Sequence, residues 1–406
     1  MSDILTKENI EKSINNRNFV EKLAKGKNIP LGFDKFRVNV CELANGEYNY
    51  NFKISVIFIY NNSSQVFEDA VLRINYGSQM NFKKQIEYEY RSLELLKNTG
   101  VTPVPIFFDD TKTLLQKDYL VMEFVNGVQM SYSTDMKLAA NVLAKIHSEK
   151  IPENNHLVKP FNLISSMIDE CRAMYGKYRN SEFFDVNIDK RISKLFKKCE
   201  LLEKNEIEHI GNSSKKTDVF DKTINSDSKC MINTELNSSN FLVDGASCFL
   251  VDWEKPILGE KEQDLGHFLA PTTTFWKTDV ILNKKEIDIF LRDYLLYYEL
   301  YGKYGTEPIV DNRNHDLKND ADKHYLNIEA DNIVKKNNEF EMLKEKVSKY
   351  IILNCLRGIT WCAMAWVEYN SEDKAILNEF TYNKLKQYLD YSFLDQVIDI
   401  CGLNDI

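Results

Sequence analysis

Near Asn126 the chain changes from strand-forming to helix-forming text, and that switch limits what it can fold into. From Phe36 to about Phe124, short runs rich in Val, Ile, Phe and Tyr alternate with polar punctuation: FRVNV, YNFKISVIFIY, a polar NNSSQ turn, then AVLRIN. Such runs, bounded by turn residues, predict strands, here an antiparallel meander. One helix interrupts them. In KKQIEYEYRSLELLKNTG the spacing puts Ile86, Tyr90, Leu93 and Leu96 on one face, and Gly100 follows the end. Pro103 and Pro105 then precede YLVMEFVNG, a buried strand running into a turn.

Beyond Asn126, DMKLAANVLAKIHSE is amphipathic, helical text covers about Phe161 to Leu202, and it resumes from Glu262 to the end. The exception is a hairpin, FLVD and SCFLVDW around Asp244-Gly245. A leading helix is expected from about Lys7 to Leu23, ending before Gly26 and Pro30. The reading is α+β: an antiparallel-sheet lobe over 1–125 and a mostly helical lobe over 126–406. Polar text without apolar periodicity at 203–229 and about 311–336 reads as surface insertions.

A formal net charge of −9 argues against a chain built to coat nucleic acid or an anionic membrane, because phosphate binding needs concentrated positive charge. Hydrophobic residues at 43 % suffice for a real core. No run of 18 uncharged apolar residues occurs, and MSDILTKENIEKS lacks an apolar signal core, so a soluble cytoplasmic protein is expected. The eight cysteines are scattered without a C-x-x-C pair, as in a reduced protein with mostly buried thiols.

Two sets of polar residues stand out. Glu89 lies three residues after Ile86 and four before Leu93, on the apolar side of its helix. Either it sits at the edge of that face, or it is a buried carboxylate that needs a partner. Arg73, on the same strand face as Val71, is placed to be one. In NTELNSSNFLVDGASCFLVDWE, a four-residue DGAS loop sets Asn240 opposite Val251, with Asp252 next along. Opposed residues on antiparallel strands are roughly 5 Å apart, so an amide oxygen and a carboxylate meet at the open end. Mg²⁺ accepts such a donor set when phosphates complete its shell. Glu235, in the loop leading in, adds a carboxylate there. A polar-ended hairpin with solvated carboxylates fits the same residues.

In this order the segments resemble the aminoglycoside phosphotransferase and choline kinase family, a branch of the protein-kinase-like fold, from about Phe36 to about Tyr369. ELANGEYNYNFKI is similar to the family's nucleotide-covering loop, with Gly46 and Asn49 in its turn. VLRIN resembles the strand whose basic residue contacts phosphates, which implies that role for Arg73, and QIEYEYRSLELL the helix whose Glu pairs with it, Glu89. YLVMEFVNG resembles the hinge, where backbone groups of Glu123 and Val125 would meet adenine. AANVLAKIHS resembles a family helix, with His147 as a packing residue. The family's catalytic loop reads His-Gly-Asp, four residues, Asn, then a strand ending in Ile-Asp. Here it reads Asn233-Thr234-Glu235, four residues, Asn240, and later Val251-Asp252. Asp264 falls where the family has a structural aspartate.

The resemblance implies a bilobal protein-kinase-like fold and transfer of the γ-phosphoryl group of ATP (or GTP) to a small-molecule hydroxyl: an aminoglycoside, choline or ethanolamine-like alcohol. Asn240 and Asp252 would hold Mg²⁺, Glu235 would orient the acceptor hydroxyl and take its proton, and Asp264 would brace the loop. Trp276, Trp361 and Glu368 lie in the lobe that holds the acceptor. Trp361 and Glu368, seven apart, share a helix face suited to an amine through cation–π and charge contacts; as core packing, the tryptophans need no ligand. Three departures matter: Glu235 for aspartate, Asn233 for histidine and Arg73 for lysine. The first two keep a second class open, a pseudokinase that binds nucleotide as an interaction module with weak or no catalysis.

Overall fold

Alternation every second residue builds the first sheet. In the strand Asn49–Tyr60 (β2), Phe52, Ile54, Val56 and Phe58 are buried on one face, the period-two mark of a sheet packed on a core. β2 pairs antiparallel with Lys35–Glu42 (β1) and Ser64–Asn75 (β3). β3 continues to Tyr119–Glu123 (β5), and β5 to Pro105–Asp109 (β4), giving the order β1-β2-β3-β5-β4. The structure, a computed structural model, describes residues 6–43, 48–61, 64–78, 80, 82–213, 229–305, 330–371 and 378–403.

The sheet separates two cores. Helices Lys7–Ile14 (α1) and Arg17–Gly26 (α2) cover one face, where Ile10, Phe19 and Leu23 pack with Ile54, Leu72 and Val121. The helix Gln85–Leu96 (α3) covers the other, and its Ile86, Tyr88, Leu93 and Leu96 share a core with Leu120, Met122 and the helical lobe.

That lobe contains Met136–Ser148 (α4), Leu163–Arg179 (α5), Val186–Ser213 (α6), Lys261–Leu269 (α7), Pro271–Thr278 (α8), Lys284–Tyr304 (α9), Ala330–Asn370 (α10), Glu379–Tyr388 (α11) and Tyr391–Ile400 (α12). α10 is its pillar, packing against α5, α6, α7, α8 and α9, with Leu353, Leu356, Ile359 and Ala363 buried. Each such fully buried Leu or Ile is worth about 1.5–3 kcal/mol over leaving it in water. Its segment Asn337–Asn370 is apolar enough to cross a membrane by length and composition, but its most apolar window is 56 % buried inside the fold. Two small sheets of short strands accompany these helices. Val128–Gln129 (β6) pairs with Phe241–Asp244 (β8), and β8 with Ser247–Leu250 (β9). Lys229–Ile232 (β7) pairs with Ile257–Glu260 (β10).

Several local features differ from the sequence expectation. The leading helix is two helices, because Asn16 takes an extended conformation and its side chain accepts from Phe19 N, capping a new helix start. β4 forms directly after Pro103 with Pro105 at its first position, where a missing N–H costs least. Residues 203–213 of the first polar stretch continue α6: four of the six residues in EKNEIE, Glu203, Lys204, Glu206 and Glu208, are good helix formers, and Lys204 and Glu208 pair one turn apart at 3.9 Å. Lys229, at its other end, starts β7, and the remainder of that stretch lies outside the described residues. Of the second stretch, residues 311–329 lie outside them too, and 330–336 begin α10.

Close approach of α7 to α10 depends on Gly266. A Cβ there would lie 2.5 Å from Tyr350 Cβ and 2.8 Å from the Tyr350 carbonyl carbon. Gly176, in α5, has no atom within 4 Å of the same position. Gly266→Ala is expected to cost about 1–3 kcal/mol by overpacking. Gly176→Ala should gain about 0.5–1 kcal/mol from helix propensity. Denaturant unfolding of the two variants beside the parent chain checks both signs.

Candidate active site

The hairpin carries the first half of the site. β8 and β9 pair Phe241 with Leu250 and Asp244 with Ser247. Gly245, at φ 59°, supplies the left-handed first position of the two-residue turn. One step beyond the strands, Val251 N donates to Asn240 O at 2.8 Å, so Asn240 stands opposite Val251 and Asp252 follows. Asn240 Nδ2 donates to Glu235 O at 2.8 Å, which leaves the amide oxygen as the atom available to a cation. Asp252 has φ 68°, a left-handed conformation that aspartate tolerates, and its side chain is one-third exposed.

Arg73 joins this end to the sheet. On β3, directly across from Asn51 of β2, it donates through Nε to Asn51 Oδ1 at 3.0 Å. Its Nη1 donates to Glu89 Oε1 at 2.6 Å and to Asp252 Oδ1 at 3.0 Å, and lies 3.7 Å from Glu254 Oε1. Arg73 and Glu89 are buried, so Glu89 is a paired interior carboxylate rather than an edge residue. Burial opposes the Arg73 charge, but Glu89, Asp252 and Glu254 together hold its pKa above the ordinary range. Burial also pushes the Glu89 carboxyl up to about 7 against the pull of Arg73. Burial and the charge of Asp252 push Glu254 up to about 8. Three acids thus crowd one guanidinium, and the crowding that raises Glu89 and Glu254 is what a proton or a bound cation would relieve. α3 fixes the segment from its other side: Gln85 Nε2 donates to Glu254 O at 2.5 Å and Tyr88 Oη to Pro256 O at 2.5 Å.

A buried aspartate builds the loop. Asp264, on α7, accepts Asn233 N at 2.7 Å and Thr234 N at 3.0 Å, and its Oδ2 lies 3.4 Å from His147 Nε2. His147 Nδ1 in turn meets Tyr294 Oη at 2.9 Å, so this histidine orients the aspartate as well as packing. Thr234 has φ 70°, and a β-branched residue there stores about 1–3 kcal/mol of strain. It is held from three sides. Besides its N–H on Asp264, its Oγ1 donates to Lys255 O at 3.0 Å, and its carbonyl accepts from Arg357 Nη1 at 3.3 Å. Asn233 ties the loop to the cation end: Oδ1 accepts Glu235 N at 3.1 Å and Nδ2 donates to Asp252 O at 2.8 Å. The Glu235 carboxylate is one-third exposed and ion-paired with buried Lys255. Beyond it, Arg357 of α10 grips Glu170 of α5 through Nε at 2.9 Å and Nη2 at 3.3 Å.

The other expected residues fall as follows. Gly46 lies outside the described residues. Asn49 is fully buried; its Oδ1 accepts from Asn75 Nδ2 at 2.9 Å and its side chain lies against Glu254, so it braces the strand ends beside the site. Glu123 closes β5, with its N–H donated to Val104 O at 2.8 Å; half-buried Val125 follows in the link to β6. Trp276, on α8 beside the Ser238–Asn240 turn, stacks edge-on with Trp361 at 5.4 Å and with Tyr388 at 5.6 Å. Glu368 is half-exposed and lies 3.8 Å from Lys177. The tryptophans therefore pack on other rings, while Glu368 is engaged with a lysine.

Sequence reasoning missed Glu254, Lys255, Glu170, Arg357 and Asn51. Glu254 had a local signal, a second acid two residues after Asp252. Asn51 had one in strand register. Glu170 and Arg357 come from helices 187 residues apart, and no spacing announces such a pair.

No protein-family model matches the chain, and no curated protein matches it significantly. Solved structures do. A choline kinase from Cryptosporidium parvum superposes with a TM-score of 0.56 at 11 % identity, covering 98 % of both chains. An ethanolamine kinase from Plasmodium vivax gives 0.54 at 16 %, over 98 % of this chain and 91 % of that one. A putative aminoglycoside phosphotransferase from Ralstonia eutropha gives 0.53 at 14 %, over 94 % and 98 %. The chain therefore has the bilobal, kinase-like α+β fold of the choline and ethanolamine kinases and the aminoglycoside phosphotransferases.

His267, on α7 one turn after Asp264, tests the packing around the loop. Its Nδ1 is buried with no hydrogen-bond partner among the described residues. Burial, with Arg357 and Lys255 adding to it, pulls its pKa down to about 3. A depressed histidine stays neutral in the fold but protonates near 6.5 when unfolded, so its contribution is full above 6.5 and is lost as pH falls toward 3. His267→Gln should therefore lose less stability than the parent between pH 6.5 and 4. Unfolding free energies at the two pH values check this.

Proposed function

We propose that the protein is an ATP- or GTP-dependent phosphotransferase that moves the γ-phosphoryl group to a hydroxyl of a small molecule. The observation that carries this reading is the convergence, on a kinase-like fold, of the Arg73–Glu89 pair, the Asn240 amide, Asp252 and a braced carboxylate loop. The donor set suits Mg²⁺. Among the described residues no group of three or more His, Cys, Asp or Glu is arranged to hold a metal by itself; magnesium bound with nucleotide needs only one or two protein oxygens, phosphates and water supplying the rest. Asn240 and Asp252 would hold it, and bound there it would neutralise phosphate charge during transfer.

Arg73, kept charged by its carboxylates and aimed by Glu89, would meet the phosphates next to that cation. Glu235 would accept a hydrogen bond from the acceptor hydroxyl, align its oxygen, and take the proton as the new O–P bond forms. One extra methylene relative to aspartate would lengthen the reach of a carboxylate carried by a loop whose backbone is pinned on Asp264. The names of the structural neighbours suggest choline, ethanolamine and aminoglycosides as first acceptors to try. The free state of all eight cysteines supports a reducing, cytoplasmic setting.

Asp252→Ala should weaken Mg·ATP binding by about tenfold or more in calorimetry, the loss of roughly 1.4 kcal/mol or more. Glu235→Gln should leave that affinity within about twofold while removing most turnover, measured as ADP release over a panel of small alcohols. Nucleotide affinity without turnover on any acceptor, and no effect of Glu235→Gln, would instead favour a nucleotide-binding interaction module.

A further inference from the structure

Lys255 belongs to no segment that the function above required, yet both of its ends hold the catalytic loop. Its carbonyl accepts the Thr234 hydroxyl at 3.0 Å, and its ammonium is ion-paired with the Glu235 carboxylate. The residue is 7 % exposed, so its charge is out of water and depends on that partner. Burial pulls the Lys255 pKa below the ordinary lysine range, and the Glu235 charge opposes that pull. The other cation close by, Arg357, is engaged by both oxygens of Glu170 and by Thr234 O. Lys255 is thus the cation assigned to Glu235, while Arg357 holds the backbone beside it.

We propose that Lys255 is the positioning residue of the transfer step: its ammonium fixes the Glu235 carboxylate on the acceptor side and balances the charge that changes there. This rests on reading Glu235 as the proton acceptor. In the step, the acceptor O–H bond breaks and its proton passes to Glu235. The acceptor oxygen bonds phosphorus, and the bond from phosphorus to the β–γ bridging oxygen breaks, its electron pair leaving with ADP. When Glu235 becomes neutral, the positive charge of Lys255 remains beside the transferring group, where a fixed cation favours the charged transition state. A carboxylate this exposed would otherwise sample several rotamers, and misalignment alone costs rate.

The test uses Lys255→Met and Lys255→Arg in the full chain, with Glu235→Gln as reference. Lys255→Met should lower kcat about 100-fold while the KM for ATP and the Mg·ATP Kd stay within about threefold, because the residue acts on the acceptor side. Lys255→Arg should recover most of the loss by restoring the charge. Adding Lys255→Met to Glu235→Gln should cost little more, since the two act as one unit. Hydrogen exchange over residues 233–240 should quicken about tenfold in Lys255→Met and not in Lys255→Arg. A kcat within about threefold of the parent, or equal loss in the Arg variant, overturns the proposal. If the parent binds no Mg·ATP, the phosphotransferase reading fails separately. The exchange measurement then decides on its own: unchanged protection in Lys255→Met overturns the assignment, and quickened exchange rescued by Arg retains it as the anchor of the loop.

Discussion

A single guanidinium holds the architecture of the site together. Arg73 stands on the third strand of the sheet, its Nη1 meeting Glu89 on the covering helix and Asp252 in the helical lobe. Sheet, helix and second lobe therefore share one buried charge centre. Removing Glu89 would take away the fully buried acid of the set where water cannot replace it, a costly outcome for a buried ion pair. The same centre is overloaded with carboxylates, so it is complete as a structural joint and incomplete as an electrostatic one.

The loop obeys a different logic, in which strain is balanced by bonds. Thr234 sits in a left-handed conformation that threonine avoids, at the position where the similar family pattern has glycine. Asp264, Lys255 and Arg357 hold its amide, hydroxyl and carbonyl respectively. Asn233, at the family's histidine position, bonds the loop to the Asp252 carbonyl. Asn233 and Thr234 thus each come with their own hydrogen bonds, and the loop is held at several points along its backbone.

Much of this was legible in the sequence because it was local or periodic. Strand alternation exposed the meander, and the DGAS turn set the register that places Asn240 opposite Val251. Helix spacing put Glu89 on the apolar side of its helix without deciding between an edge and a buried position, and the structure buries it. The assignment of Asp264 as a brace rested on the family resemblance, and its two accepted backbone N–H groups fit that role. What escaped was either nonlocal or overridden. The pairing of Glu170 with Arg357 joins distant helices that only tertiary packing brings together. The short pairing of β7 with β10 had too few residues to show a period. The division of the leading helix turned on one asparagine cap. Trp276 packs on Trp361 and Tyr388, in line with the core-packing alternative that the sequence left open beside an amine box.

The contacts of α3 also say how the two lobes are tied. By chain order α3 belongs to the small lobe, and it packs against β4 and β5. Its Ile86, Tyr88, Leu93 and Leu96 also share a core with residues of the helical lobe. Gln85 and Tyr88 bond the Glu254 and Pro256 carbonyls. The helix is therefore a rivet through both bodies, and the Arg73–Glu89 ion pair fastens its sheet side. Displacing one lobe against the other would break contacts on one side of α3 or the other.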